Sequence, residues 1–244
     1  MQVNISIITA SYNCCRYLPD CIKSVQAQQF DDYEHLILND CSTDKSKKIL
    51  NKLASKDRHI RIIHADKRSK CGSSYFRLSH EAKGDIIGVL DADDALAPKS
   101  MRTLLDYYDK YPDIDFIWTQ FWLCDANLHK IKRGFSSHPG DYSLLESGMK
   151  GKHNFSHWRT FRKRVLDKGD IFPVGLSAAV DKYMGYSLEE LGKGAFLNIP
   201  LYYYRQRVGG LSFTGRKIWK SMKKDFSDRR AKNNVSPFPI IKID

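Results

Sequence analysis

Between residues 4 and 90, short apolar runs alternate with helical patterns, and this alternation constrains the fold more than any other feature of the chain. Residues 4–10 (NISIITA), 33–39 (YEHLILN), 60–64 and 85–90 (DIIGVL) read as strands; residues 17–29, 44–55 and 73–83 carry helical periodicity. A strand that returns through a helix enters its sheet parallel to its predecessor, and a parallel sheet must be covered on both faces. The expectation is an α/β fold. Ligands in such sheets bind beyond the carboxyl ends of the strands, so the residues following each strand are the ones to inspect.

The second half is less regular. Pro98 opens a helix through Tyr111, while residues 115–124 and 197–205 are aromatic strand candidates. Neither an internal repeat nor a low-complexity linker is present, so two halves sharing one core are expected: residues 1–100 and 101–212. Residues 213–244 form a distinct tail. Its segment 213–234 carries eight basic residues against Asp225 and Asp228, half of the chain's net charge of +12. Ile218, Trp219, Met222 and Phe226 recur there at helical spacing, which reads as a basic amphipathic helix suited to an anionic membrane surface. The rival reading packs that apolar stripe on the body of the protein.

No run approaches 18 apolar residues, and the N-terminus lacks the features of a signal peptide. Six cysteines without CxxC spacing read as free thiols in a reducing cytoplasm. The expected location is cytoplasmic, including peripheral attachment at the inner face of the membrane. Net charge alone leaves nucleic acid, anionic lipid and nucleotide substrates open.

Three strand ends deliver chemistry to one rim. The first runs into Thr9-Ala10-Ser11-Tyr12-Asn13, the second into Asn39-Asp40-Cys41-Ser42-Thr43-Asp44, and the fourth into Asp91-Ala92-Asp93-Asp94. Carboxylates crowded at a strand end repel one another, and a divalent cation is an economical way to hold them. Hard oxygen ligands suit Mg²⁺ or Mn²⁺ shared with phosphate. Capping is the plainer role for Thr43 or Asp44 and for Asp94 ahead of the Pro98 helix.

Taken together, Ser6 to Asn13, Leu38 to Asp44 and Lys83-Gly84-Asp85-Ile86 leading to Leu90-Asp91-Ala92-Asp93-Asp94 resemble family 2 glycosyltransferases. The match runs from Asn4 to about Met101 and more weakly to Ser212. The resemblance implies a GT-A type fold with a Rossmann-like, mainly parallel sheet, a nucleotide-sugar-binding first half and an acceptor-binding second half. It implies an inverting, metal-dependent transferase that moves a sugar from a nucleotide-diphospho-sugar, most often a UDP-sugar, to a hydroxyl of a glycan or lipid-linked acceptor.

Carried over residue by residue, Thr9, Ala10, Tyr12 and Asn13 match the first strand end, where the base is held, and Asp40 matches the carboxylate that bonds the uracil imide. Asp91, Ala92 and Asp93 match the DxD motif, with Asp93 the better metal ligand, Asp91 toward ribose or sugar, and Asp94 at the donor. The family's catalytic base lies about two dozen residues before a Tyr-Arg pair. Tyr204-Arg205 therefore points back to Asp181 in Ala179-Val180-Asp181-Lys182, with Val180 where the family has Glu. Glu189 and Glu190 form a rival pair, read here as a solvated helix face.

Two departures bear on phosphate. Tyr75 stands where the family often has an arginine, which passes diphosphate contact to Arg68, Lys70 or Arg77. Arg207 stands where a histidine is frequent, and with Arg205 it is assigned to the donor diphosphate; Gly209-Gly210 beside it would supply mobility. Phe155-Ser156-His157-Trp158-Arg159 is the acceptor-side candidate, whereas the eight histidines form no ligand motif. A nucleotidyltransferase would bring a Gly-rich basic loop after the first strand, and residues 9–16 contain no glycine. A nucleic-acid-binding module would leave the acidic rim unexplained, and a catalytically inactive relative that binds nucleotide sugar is the remaining alternative. No nucleic-acid partner is expected.

Overall fold

The computed structural model describes residues 3–207 and 216–243. The first half follows the expected alternation: β1 (Ile5–Ser11), α1 (Leu18–Gln26), β2 (Tyr33–Asn39), α2 (Ser46–Ala54), β3 (Ile60–His64), α3 (Lys70–Glu81) and β4 (Ile86–Val89). β2 and β3 have the predicted bounds. The helix read from residue 73 instead begins at Lys70, because the Asp40 carboxylate draws its first turn in. Then come β5 (Ala95–Leu96), α4 (Ser100–Lys110), β6 (Phe116–Cys124), β7 (Lys130–Arg133), α5 (Leu144–Met149), β8 (Arg159–Arg162), α6 (Val180–Leu191), β9 (Gly194–Arg205), α7 (Arg216–Asn233) and β10 (Ile240–Ile243).

These strands form one sheet in the order β10-β9-β6-β8-β4-β1-β2-β3, with β5 beside β9 and β7 beside β6. β1, β2, β3 and β4 are parallel, as are β9, β6 and β10. β8 runs antiparallel between β4 and β6 and joins the two halves. Its register pairs Arg159 with Val89, which places the start of β8 at the end of β4.

Strand alternation divides the core into two faces. Ile8, Leu36, Leu38, Ile87, Val89, Phe116 and Trp118 meet α3, α5, α6 and α7 on one face. Ile5, Ile7, Ile86, Ile117 and Phe121 meet α1 and α4 on the other, where Ile37 packs with Leu50 of α2. Gly84 is needed for close approach, since a Cβ there would come within 2.6 Å of the Ser6 amide nitrogen.

The tail departs from the membrane-anchor expectation. Met222 and Phe226 are buried, Trp219 Nε1 donates to the Tyr186 hydroxyl at 2.8 Å, and Phe226 packs edge-on against Tyr183 and Tyr186 of α6. The apolar stripe of α7 is therefore spent on the protein core, and β10 extends the sheet beyond β9. No helix among the described residues is long and apolar enough to cross a membrane. Gly209-Gly210 lie outside the described residues.

Candidate active site

β4 delivers Asp91, Asp93 and Asp94 to the rim, and each carboxylate meets a different restraint. Asp91 accepts from the Tyr75 hydroxyl (2.7 Å) on one oxygen and from Arg159 Nη2 (2.8 Å) on the other. Burial opposes its ionisation, but the Arg159 guanidinium, with the hydrogen bonds from Tyr75 and Arg159, outweighs burial and holds its pKa below the usual carboxylate range. Asp94 is fully buried and accepts from the Tyr202 hydroxyl (2.8 Å) and the Arg205 amide (2.8 Å). Burial first, then the charges of Asp93 and Asp91, push its pKa well up. This bonding to β9 replaces the capping role considered for Asp94. Asp93 accepts from Arg207 Nε at 2.5 Å.

Ligand atoms of Asp91, Asp94 and His157 lie within 4.8 Å of one another, the one such convergence of three among the described residues. His157 is stacked on Tyr202 and Tyr204, with ring centroids at 4.7 and 4.9 Å. Burial and Arg159 lower its pKa to about 3, which keeps the imidazole neutral, the form that binds metal. Sequence reasoning set His157 aside because the β8 pairing that brings it beside Asp91 has no local signal. Arg159 was expected only as part of the acceptor-side segment 155–159, and Tyr202 had no assignment, for the same reason.

On the nucleotide side, Tyr12 stands at the rim with the Arg68 guanidinium 3.7 Å from its ring centroid, and Ala10 is half-buried beside it. Asn13 ties this end to the turn after β2: its side-chain oxygen accepts from the Thr43 amide at 2.8 Å. Asp44 accepts from the Ser46 and Cys15 amides and so ties the start of α2 to the end of β1, although the N-cap position of α2 is Lys45. Asp40 accepts from the Ser69 and Lys70 amides at 2.7 and 2.9 Å, and so holds the N-terminus of α3. Thr9 is a correction. It is fully buried, its hydroxyl 3.0 Å from His35 Nε2, because strand alternation turns it into the sheet.

Tyr75, in the place of the missing arginine, orients Asp91 rather than phosphate. Arg77 pairs with Glu81 at 2.9 Å. Arg205 is also corrected: it is buried and donates to the Asp93 carbonyl, the Ala126 carbonyl and Asp20. It fastens the rim from below, which leaves Arg207 as the more exposed of the two cations. A cavity of about 370 Å³ beside α3, lined by Leu38, Ala65, Lys67, Ser73 and Arg77 among others, contains none of the rim carboxylates.

From the opposite side, α6 presents Asp181 in its first turn. Asp181 accepts from Lys182 Nζ at 3.0 Å. Burial would raise its pKa, but Lys182 and Arg159 prevail and bring it to about 2. The Glu189 and Glu190 reading is overturned. Glu189 is fully buried, accepts from the Leu144 and Leu145 amides at the start of α5, and is paired with Arg230 of α7 at 2.7 Å. Glu190 pairs with Arg229 and Arg230. The acceptor-side segment 155–159 is mostly buried and forms a floor under the rim. Trp118 and Tyr108 are core residues.

The profile of "Glycosyl transferase family 2" matches residues 6–170, well over half of the chain. The chain belongs to that family. This family 2 chain is 30% identical over 194 residues to the chondroitin synthase of Pasteurella multocida (strain Pm70), covering 80% of this chain and 20% of that protein. It is 27% identical over 230 residues to the glycosyltransferase GlyG of Streptococcus pneumoniae serotype 4, covering 88% of this chain and 74% of that one. It spans about a fifth of the Pasteurella synthases, for chondroitin and for hyaluronan, that it matches. Among solved structures, S. aureus TarS (residues 1–349) in complex with UDP-GlcNAc has a TM-score of 0.72 at 18% identity, covering 86% of this chain and 60% of TarS. That likeness establishes the fold as GT-A type. The mannosyltransferase PcManGT from Pyrobaculum calidifontis, in complex with GDP-Man and Mn²⁺, has a TM-score of 0.64 at 13% identity, covering 97% of this chain and 66% of that one.

Proposed function

We propose that this chain transfers a sugar from a UDP-sugar to a hydroxyl of a glycan or lipid-linked acceptor, with inversion at the anomeric carbon, in the synthesis of a cell-surface polysaccharide. One observation carries the reading: Asp91 at the end of β4, bonded to Arg159, and Asp181 of α6 both act electrostatically on the same pair, His157 and Arg159. A leaving-group site and a base thus share one floor. Tyr12, with Arg68 over its ring, and Asp40 form the nucleoside end, and the TarS complex with UDP supports uracil there.

The donor set fits a hard divalent cation. Two carboxylates and a neutral imidazole converge, and burial, then repulsion from Asp93 and Asp91, keeps Asp94 hard to ionise until positive charge arrives. When bound, Mn²⁺ or Mg²⁺ neutralises charge on the departing diphosphate. Asp91, Asp94 and His157 would hold it, joined by Asp93 once Arg207 leaves that carboxylate for the diphosphate. Asp181 takes the proton from the acceptor hydroxyl, whose oxygen attacks the face of the sugar opposite the diphosphate. Arg159 holds Asp91 in place.

The test is turnover of UDP-sugars with Mn²⁺. Asp93→Asn is expected to abolish metal-dependent turnover and leave thermal unfolding unchanged. Equal turnover by the unaltered protein with and without a chelator would overturn the reading.

A further inference from the structure

The charge around the base is lopsided. His153 is exposed; Lys182 and Lys223 bear on it as cations, and Asp181 is the anion acting on it among the described residues. Lys152, His153 and Lys182 line one narrow cleft with Phe155 and Tyr186. The site is fixed in place by its neighbours. The His153 ring rests on Trp219 at 4.4 Å between centroids, and Trp219 is itself tied to Tyr186. Lys223 Nζ lies 4.3 Å from the Trp219 centroid and donates to the Gly148 carbonyl at 3.0 Å. Lys182 Nζ reaches both Asp181 (3.0 Å) and the Phe155 carbonyl (3.5 Å). Three parts of the chain, the loop after α5, α6 and α7, thus bring cations to one spot. Donor binding uses none of them.

An acceptor hydroxyl presented to Asp181 must carry its neighbouring groups across this patch. We propose that Lys152, His153, Lys182 and Lys223 form an acceptor subsite that selects an anionic glycan, its carboxylate or phosphodiester seated beside the hydroxyl to be glycosylated. The proposal rests on the glycosyltransferase reading above and names its acceptor class. Lys182 is the shared element. It now pairs with Asp181, and an incoming anion competes for it, so that Asp181 gives up its cation and becomes a stronger base as the acceptor is seated. A neutral acceptor leaves the pair intact. Because the apolar face of α7 is buried, Lys223 is not part of an inserting amphipathic surface.

The experiment measures binding to the full chain in the presence of UDP and Mn²⁺. Three probes are compared: a hyaluronan octasaccharide, the same oligosaccharide with its carboxyl groups reduced, and a glycerol phosphate oligomer. At least one anionic probe is expected to bind roughly tenfold more tightly than the reduced one, and to weaken as salt rises. A preference for hyaluronan assigns a carboxylate, and a preference for the phosphate oligomer assigns a phosphodiester. Lys182→Gln and Lys223→Gln should each remove most of the preference, and Lys182→Arg should keep it, all with unchanged UDP affinity. Equal binding of charged and neutral probes by the unaltered protein, or an intact preference in both Gln variants, overturns the proposal when UDP binding is normal. Failure of the unaltered protein to bind UDP overturns the donor-site reading instead.

Discussion

The donor rim and the α6 side hold their carboxylates in different ways. At the rim, Asp40 and Asp44 accept from backbone amides of adjoining turns, and Asp94 accepts from the Arg205 amide. On α6, Asp181 is held by Lys182, while Glu189 and Glu190 meet arginines of α7. Amides are fixed by the fold and cannot leave, so Asp40, Asp44 and Asp94 are preorganised, whereas Asp91 and Asp93 of the same rim meet Arg159 and Arg207. Lysine and arginine side chains can exchange one anion for another, so charge on the α6 side is open to a ligand. Glu189 combines the two, since it also accepts from the Leu144 and Leu145 amides.

The sharpest way to separate the two regions is to remove the base. Asp181→Asn is expected to lower transfer by about 10³-fold with near-normal UDP affinity, because the donor rim does not depend on it. If Glu190→Gln shows that pattern instead, the assignment within α6 is wrong. A second variant tests the charge-held network alone. Arg230→Ala leaves the Glu189 carboxylate buried without its cation and should cost about 3–5 kcal/mol, a fall in Tm of about 10 °C by calorimetry. A change below about 1 kcal/mol would mean that the α5 amides suffice.

The amide-held rim should be more forgiving. Asp40→Ala removes the support of the α3 N-terminus and is expected to cost about 1–2 kcal/mol in urea unfolding. A loss as large as that of Arg230→Ala would erase the distinction. The last test is a pH dependence in the first half. Burial lowers the His35 pKa to about 3, so the folded state excludes a proton that the unfolded chain binds below about 6.5. Stability from this group is full above pH 6.5 and falls by up to roughly 1.4 kcal/mol per pH unit toward pH 3. His35→Gln should flatten that slope in unfolding measured across this range; an unchanged slope would assign it elsewhere.

The first half was legible because its signals are local. Strand–helix alternation and turn residues act over ten or fifteen positions, so β2 and β3 were readable to the residue. The acidic cluster after β4 announced itself by the crowding of like charges. Side-chain direction at the strand ends was not announced. Thr9 was placed at the rim although it points inward, since the facing of one residue depends on which neighbour strand and helix cover it. In α6 the periodicity of Glu189-Glu190 was read as a solvated face, and it became buried because α7, some 40 residues later, supplies Arg229 and Arg230.

By itself, then, the sequence determined the parallel sheet, its covering on both faces, and the carboxylates delivered beyond β2 and β4. Apolar periodicity and repulsion between neighbouring charges act along the chain, and they sufficed for that much. Only the tertiary structure decided that β8 enters antiparallel and brings His157 and Arg159 under Asp91, that Arg205 is a buried clasp, and that the stripe of α7 faces the core. Each of these is a pairing between segments whose partners are set by the surface left to cover. That surface exists only once the rest of the chain has folded.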